Sequence, residues 1–312
     1  MLDGEPCGDS DLTMSNPELQ DTLALYGSYL TESGLSRLTV KNYVADLKHL
    51  AMWLARDGRA VLGAREKDIR DYRADLVTAK AHPPATVNRR LQAIRKFFRY
   101  AVESGLVDAD PSEGVKLLPH AKSGVRRGLE PSEVESLLEA VRSGGSRLAK
   151  RDYAIIQVML QTGIRVGELT RLRLTDVQLS GNRGVLRVRG GGISSEREIP
   201  LNSSVRKAIS GYLAERAGSD SDHLFLGAKG RPLSTRSVQR LVGSHAEGAG
   251  LESVSTLTLR QTYGQQLLRD TGDLSLVARL MGHKRLESAI KYTLPGQEDL
   301  TEVAERSSLN VF

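Results

Sequence analysis

Residues 274–293, LSLVARLMGHKRLESAIKYT, carry the reading on which the rest of the chain turns. Their apolar spacing predicts a helix running to Met281, with Gly282 as the residue that caps it. His283 follows at once, and Tyr292 comes nine residues later. Taken singly, an imidazole after a helix cap is often a cap or surface group, and a phenol on an amphipathic helix often packs into a core. Upstream, Arg260 stands in LTLRQTY (257–263) and Arg165 in QTGIRVGEL (161–169). Arg165 with Glu168 is by itself an ordinary i, i+3 helix pair. Together the four residues form a set suited to metal-free phosphodiester chemistry. Two guanidiniums grip the phosphate, an imidazole assists and a phenol attacks.

Length and composition narrow the classes. At 312 residues the chain accommodates two domains, each able to bury a core. Its 44 Lys and Arg against 38 Asp and Glu give a formal net charge of +6, and the pI is about 9.4. A basic balance weighted toward arginine suits phosphate partners, though a solvated basic surface would look the same. The single cysteine, Cys7, rules out an internal disulfide framework or a cysteine-based zinc site. The N-terminal stretch MLDGEPCGDSDLTMSNPE is acidic and lacks the apolar core of a signal peptide. No run approaches the roughly 18–20 apolar residues of a membrane span, so a soluble cytoplasmic protein is expected.

Patterning divides the chain further. Residues 1–17 read as a disordered tail and 18–113 as an all-helical N-terminal domain. In that domain Leu23, Leu25, Tyr26 and Leu30 mark a first stripe. A second helix restarts after Gly34 with Thr39 as its N-cap. Helices over REKDIRDYRADLVTA (65–79) and ATVNRRLQAIRKFFRYAVESG (85–105) follow. The last turns Val87, Leu91, Ile94, Phe97, Phe98 and Ala101 to the core and leaves Arg89, Arg90, Arg95, Lys96 and Arg99 for solvent or for a DNA backbone. Residues 114–128 form a linker. Residues 129–312 form a second, mainly helical domain, in which GVLRVRG and REIPL read as two antiparallel strands around a glycine-rich turn.

In order and spacing, TGIRVGEL, TLRQTY and LMGH…Y resemble the tyrosine recombinase (phage integrase, Xer-like) family, and the N-terminal block resembles its core-binding, SAM-like domain. The likeness covers roughly residues 20–305. It implies that Arg165 and Arg260 hold the scissile phosphate, that Glu168 buttresses Arg165, that His283 assists, and that Tyr292 attacks to form a 3′-phosphotyrosyl link. That link conserves the bond energy for re-ligation, so neither metal nor other cofactor is required. The resemblance also implies double-stranded DNA as partner, a homotetramer on two DNA sites with or without a second recombinase, and service to a mobile element or a chromosome. The family's C-terminal segment docks on a neighbouring protomer. Here Leu300, Val303 and Ala304 supply an apolar set for docking in trans or in cis.

Three family residues are missing. Leu257 and Gln261 stand where the family carries the histidines of His-x-Leu-Arg-His, and Gly191 stands in the place of the lysine that protonates the departing 5′-oxygen. Arg189, Ser194, Ser195, Arg197 and Lys229 lie nearby without being evident replacements. Besides a recombinase, the chain is therefore compatible with a degenerate member that binds DNA and organises a recombination complex without cutting. A helical transcriptional regulator is a third reading, which leaves the Arg/Arg/His/Tyr order without a purpose.

Overall fold

The computed structural model describes residues 17–119, 127–145, 147–190, 196–216, 220–283, 285–289 and 292. Nearly all of the expected tail, the middle of the expected linker, Gly191, Ser194, Ser195 and the C-terminal set Leu300, Val303 and Ala304 lie outside the described residues. The chain divides into two units, Met1–Ser123 and Gly124–Phe312.

The first unit holds α1 (Pro17–Glu32), α2 (Arg37–Ala55), α3 (Glu66–Thr78) and α4 (Pro84–Glu103). Its core is closed by Tyr26, Leu47, Leu50, Leu54, Ile69, Tyr72, Leu91, Phe97 and Phe98. Leu25 departs from its expected place in the first stripe and is 60% exposed, because it stands one helical step of about 100° from the buried Tyr26. The N-cap of α2 also differs from expectation. Ser36, in extended backbone, accepts from the Thr39 backbone N–H at 3.1 Å, which places Thr39 inside the first turn. Pro84 opens α4, where its missing N–H costs no helix bond.

A polar contact is built into this core. His49 Nδ1 lies 2.7 Å from the Tyr72 hydroxyl. Burial, helped by the nearby Arg90 guanidinium, pushes the His49 imidazole down to about 4 from its usual 6.5. The folded chain thus holds a neutral ring that the unfolded chain protonates near 6.5. Stability from this site is intact above that pH and is lost as pH falls from about 6.5 toward 4. Thermal melts across this window should show a fall in Tm that is shallower in His49→Gln. Equal slopes for the two proteins would exclude the imidazole as its source.

The second unit contains α5 (Pro131–Ser143), α6 (Ala149–Thr162), the single-turn α7 (Val166–Leu169), strands β1 (Val177–Ser180), β2 (Arg183–Val188) and β3 (Arg197–Pro200), then α8 (Ser203–Glu215), α9 (Thr235–Gly248), α10 (Thr256–Thr271) and α11 (Leu274–Leu280). α6 is buried on nearly all sides and packs against α5, α8 and α10. The sheet is antiparallel in the order β1-β2-β3. It has one strand more than the patterning suggested. β1 joins β2 through the tight turn at Gly181 and Asn182, where Gly181 takes φ +49°, and its register runs from Val177 opposite Leu186 to Ser180 opposite Arg183. No helix among the described residues is long and apolar enough to cross a membrane.

Candidate active site

Two helix endings in the second unit and the helix α10 bring the site together. The first ends α6. Gly163 takes the left-handed conformation at φ +57°, and any side chain added there would run into the ring of Tyr263. Two residues later Arg165 caps α7. Its backbone N–H donates to Glu168 Oε2 at 2.8 Å, and its Nη1 donates to Glu168 Oε1 at 3.1 Å. The Arg165–Glu168 pair is thus a capping box as well as an ion pair.

The second break ends α11. Gly282 adopts φ +65°, and the His283 N–H donates back to Ala278 O at 2.9 Å, closing the helix and setting the direction of the His283 side chain. The carbonyls exposed by this ending are collected by arginines. Leu280 O accepts from Arg197 Nε at 2.7 Å. Met281 O accepts from Arg260 Nη2 at 2.7 Å and from Arg165 Nη1 at 3.3 Å, and Gly282 O accepts from Arg165 Nη1 at 3.3 Å. Guanidiniums suit this end of the helix because its free carbonyls carry partial negative charge.

The third element is α10, capped by Ser255, which carries Arg260 near its start. Arg260 is 4% exposed and also donates to Gly163 O, and its Nη2 lies 3.3 Å from His283 Nε2. Burial, followed by the neighbouring Arg165 charge, pushes its guanidinium down to about 10. Folding has therefore placed positive charge here at a cost that an anionic ligand would relieve.

Tyr292 closes the pocket. It is 5% exposed, with its ring 6.0 Å from that of His283 at an interplanar angle of 55°. Among the described residues the backbone before it forms a single 3₁₀ turn at Leu286–Ser288, and its N–H donates to Ala289 O at 2.9 Å. The aromatic ring rests directly on Gly264, where an added Cβ would lie 2.8 Å from two ring carbons. Burial pushes the Tyr292 hydroxyl up, while a hydrogen bond and the charge from Arg260, with Arg165 behind it, pull it back.

The structure thus gathers Arg165, Glu168, Arg260, His283 and Tyr292 in one place. It adds Arg197, which patterning noted only as a neighbour of the turn. Arg197 opens β3, points inward, and grips Glu168 with both terminal nitrogens, Nη1 to Oε1 at 3.2 Å and Nη2 to Oε2 at 2.9 Å. Its side chain is 5% exposed and that of Glu168 2%. Removing either partner of such a buried pair alone costs about 3–5 kcal/mol. The signal in the sequence was a charged residue on the inward face of a strand, two positions before Ile199. Three guanidiniums around one carboxylate leave an excess of two positive charges, which suits a phosphate whose negative charge grows during reaction. Arg189 is turned elsewhere, to the buried Asp176 at 2.9 Å.

The five basic residues of α4 are not equivalent. Arg89 and Arg99 are exposed, and Arg89 pairs with the buried Asp46 of α2. Arg90 is turned inward toward the same carboxylate at 3.8 Å, Arg95 donates to Val115 O, and the Lys96 ammonium lies 5.5 Å from the centre of the Tyr29 ring. Helical spacing explains the inward pair. Arg90 stands three residues after Val87 and four before Ile94, and Arg95 four after Leu91 and three before Phe98, so both border the apolar stripe.

Comparison with known proteins gives the family and the fold. Residues 127–298 match the phage integrase family, and residues 23–105 match the phage integrase N-terminal SAM-like domain. The chain is 33% identical over 282 residues to tyrosine recombinase XerC of Pelobacter propionicus, covering 89% of this chain and 91% of that protein. It is 32% identical over 277 residues to tyrosine recombinase XerD of Ralstonia nicotianae, covering 86% and 87%. Among solved structures it resembles the XerH site-specific recombinase bound to a palindromic difH substrate in a post-cleavage complex, with a TM-score of 0.74 at 19% identity over 95% of this chain and 90% of that one. It also resembles the Tn1549 transposon integrase in complex with circular intermediate DNA, with a TM-score of 0.71 at 17% identity over 91% and 98%.

Proposed function

The chain belongs to the phage integrase family of tyrosine recombinases, site-specific enzymes that cleave and rejoin DNA, and from that premise we propose that Tyr292 is its nucleophile. The Tyr292 hydroxyl oxygen attacks a backbone phosphorus, the bond from phosphorus to the 5′-oxygen breaks, and a 3′-phosphotyrosyl link remains. Arg165 and Arg260 neutralise the charge on the non-bridging oxygens, with Glu168 holding Arg165. His283 Nε2 lies 3.3 Å from Arg260 Nη2 and its ring stands beside that of Tyr292, so the imidazole is assigned the assisting role in moving the phenolic proton. Attack by the 5′-hydroxyl of a partner strand reverses the sequence and reseals the backbone. The observation that carries the proposal is the convergence of Arg165, Arg260, His283 and Tyr292 on the end of α11.

The working partner is double-stranded DNA. Exchange between two duplexes cuts four strands and so needs four nucleophiles, which favours a tetramer on two sites, with residues 129–312 as catalytic domain and 18–113 as core-binding domain. Incubation with a duplex nicked near the cleavage point, so that the short 5′ fragment diffuses away, should trap a covalent protein–DNA adduct. Binding of a true site without any adduct would establish instead the non-cutting organiser, the alternative that the glycine at 191 and the leucine at 257 keep in view.

On the DNA-facing side of the N-terminal domain the contacts are assigned to Arg99 and Arg89, the exposed members of the α4 set. Arg99→Glu should weaken binding to all sequences and lower the salt slope, log affinity against log salt, by about one. An unchanged slope with full affinity would remove α4 from the interface. Arg90→Glu should fail differently, by placing a carboxylate beside the buried Asp46 and lowering Tm.

A further inference from the structure

The hairpin between β2 and β3 supplies no lysine at Gly190–Gly192, yet its far side returns to the site through Arg197. This side chain makes three directed contacts to two separate parts of the pocket. Two go to the carboxylate that holds Arg165, and one goes to the carbonyl at the end of α11. The guanidinium also lies under the turn that presents His283, since a Cβ on Gly282 would meet its Nη1, Cζ and Nε atoms. Those contacts span 29 residues of sequence toward Glu168 and 83 toward Leu280. All its nitrogens are engaged in these contacts, so proton donation is not its task.

Resting on the assignment of Arg165 and His283 above, we propose that Arg197 is a positioning residue for strand cleavage. It locks Glu168 and the 280–282 turn into one frame, and thereby sets the first phosphate-binding arginine and the imidazole at a fixed separation. By taking both carboxylate oxygens of Glu168 it also keeps that carboxylate from neutralising Arg165 outright, which leaves the Arg165 charge available to a phosphate.

The test measures the single-turnover rate of adduct formation on nicked duplex alongside DNA affinity, for Arg197→Met, Arg197→Lys, Glu168→Gln and the double variant Arg197→Met with Glu168→Gln. The double variant removes both charges of the Arg197–Glu168 pair together and so serves if Arg197→Met alone fails to fold. Arg197→Met should form adduct about 100-fold more slowly, as expected for a misplaced catalytic frame, with affinity unchanged within a few-fold. Arg197→Lys should recover little, because an ammonium cannot make the three-way fork. The double variant should be no slower than the slower of its two parents, since both lesions break the same frame. Adduct formation at the wild-type rate in a folded Arg197→Met or double variant overturns the proposal and leaves the catalytic assignment standing. Multiplying losses in the double variant overturn it too, by showing that the two residues act separately. A wild-type protein that binds its site and forms no adduct overturns the catalytic assignment itself and this proposal with it.

Discussion

Tyr292→Phe protein should bind its recombination site as tightly as the wild type and form no covalent adduct. The substitution removes one oxygen from a ring that is already seated. Tyr292 is 5% exposed and lies against Gly264, Met281 and His283, and phenylalanine fills the same space. What disappears is the only atom assigned to bond with phosphorus, so the loss is of the whole reaction. The measurement is a denaturing gel of protein and labelled nicked duplex, read beside a native gel of the same mixture. Adduct at the wild-type level in Tyr292→Phe would move the nucleophile elsewhere. Loss of the native complex as well would make Tyr292 a fold residue first.

A second large effect is expected from the leaving group. With Gly191 in place of the family's lysine, protonation of the departing 5′-oxygen should limit cleavage. A 5′-bridging sulfur departs without a proton, so a duplex carrying that phosphorothiolate at the cleavage point should be cut about 10²–10⁴-fold faster than ordinary DNA, the usual worth of one general acid. Gly191→Lys should raise the rate on ordinary DNA and shrink the sulfur advantage. Single-turnover rates on the two substrates with the two proteins decide the matter. Equal wild-type rates would show that another residue already supplies the proton. Lys229 and Lys284 would then be the first to replace.

The site residues that were legible in the sequence are those carried by short motifs that resemble the family's, while local spacing located the helix endings around them. Arg165 and Glu168 are three apart and close a capping box, and Gly282 next to His283 is a helix ending that any reader can locate. Arg197 was not legible as part of the site because its partners lie in other elements, and only the chain's path brings β3 against α7 and α11. Helix existence in the first unit was equally local, since Val87, Leu91, Ile94, Phe97, Phe98 and Ala101 keep one face over the length of α4 and all are buried. The division of its basic residues was only half legible. Periodicity showed that Arg90 and Arg95 border the stripe, while the buried Asp46 that receives Arg89 and Arg90 comes from α2. β1 escaped notice because four residues give too little alternation to stand apart from the turn before it.

The end of α11 has one more consequence. Three arginines from three different elements are fastened to consecutive carbonyls at 280, 281 and 282, immediately ahead of His283. A short displacement of that helix would therefore drag every cation of the pocket together, as one hub moves all its spokes. Control of this protein would then be a matter of where a single seven-residue helix rests, and any partner able to nudge α11 would hold the whole apparatus by one handle.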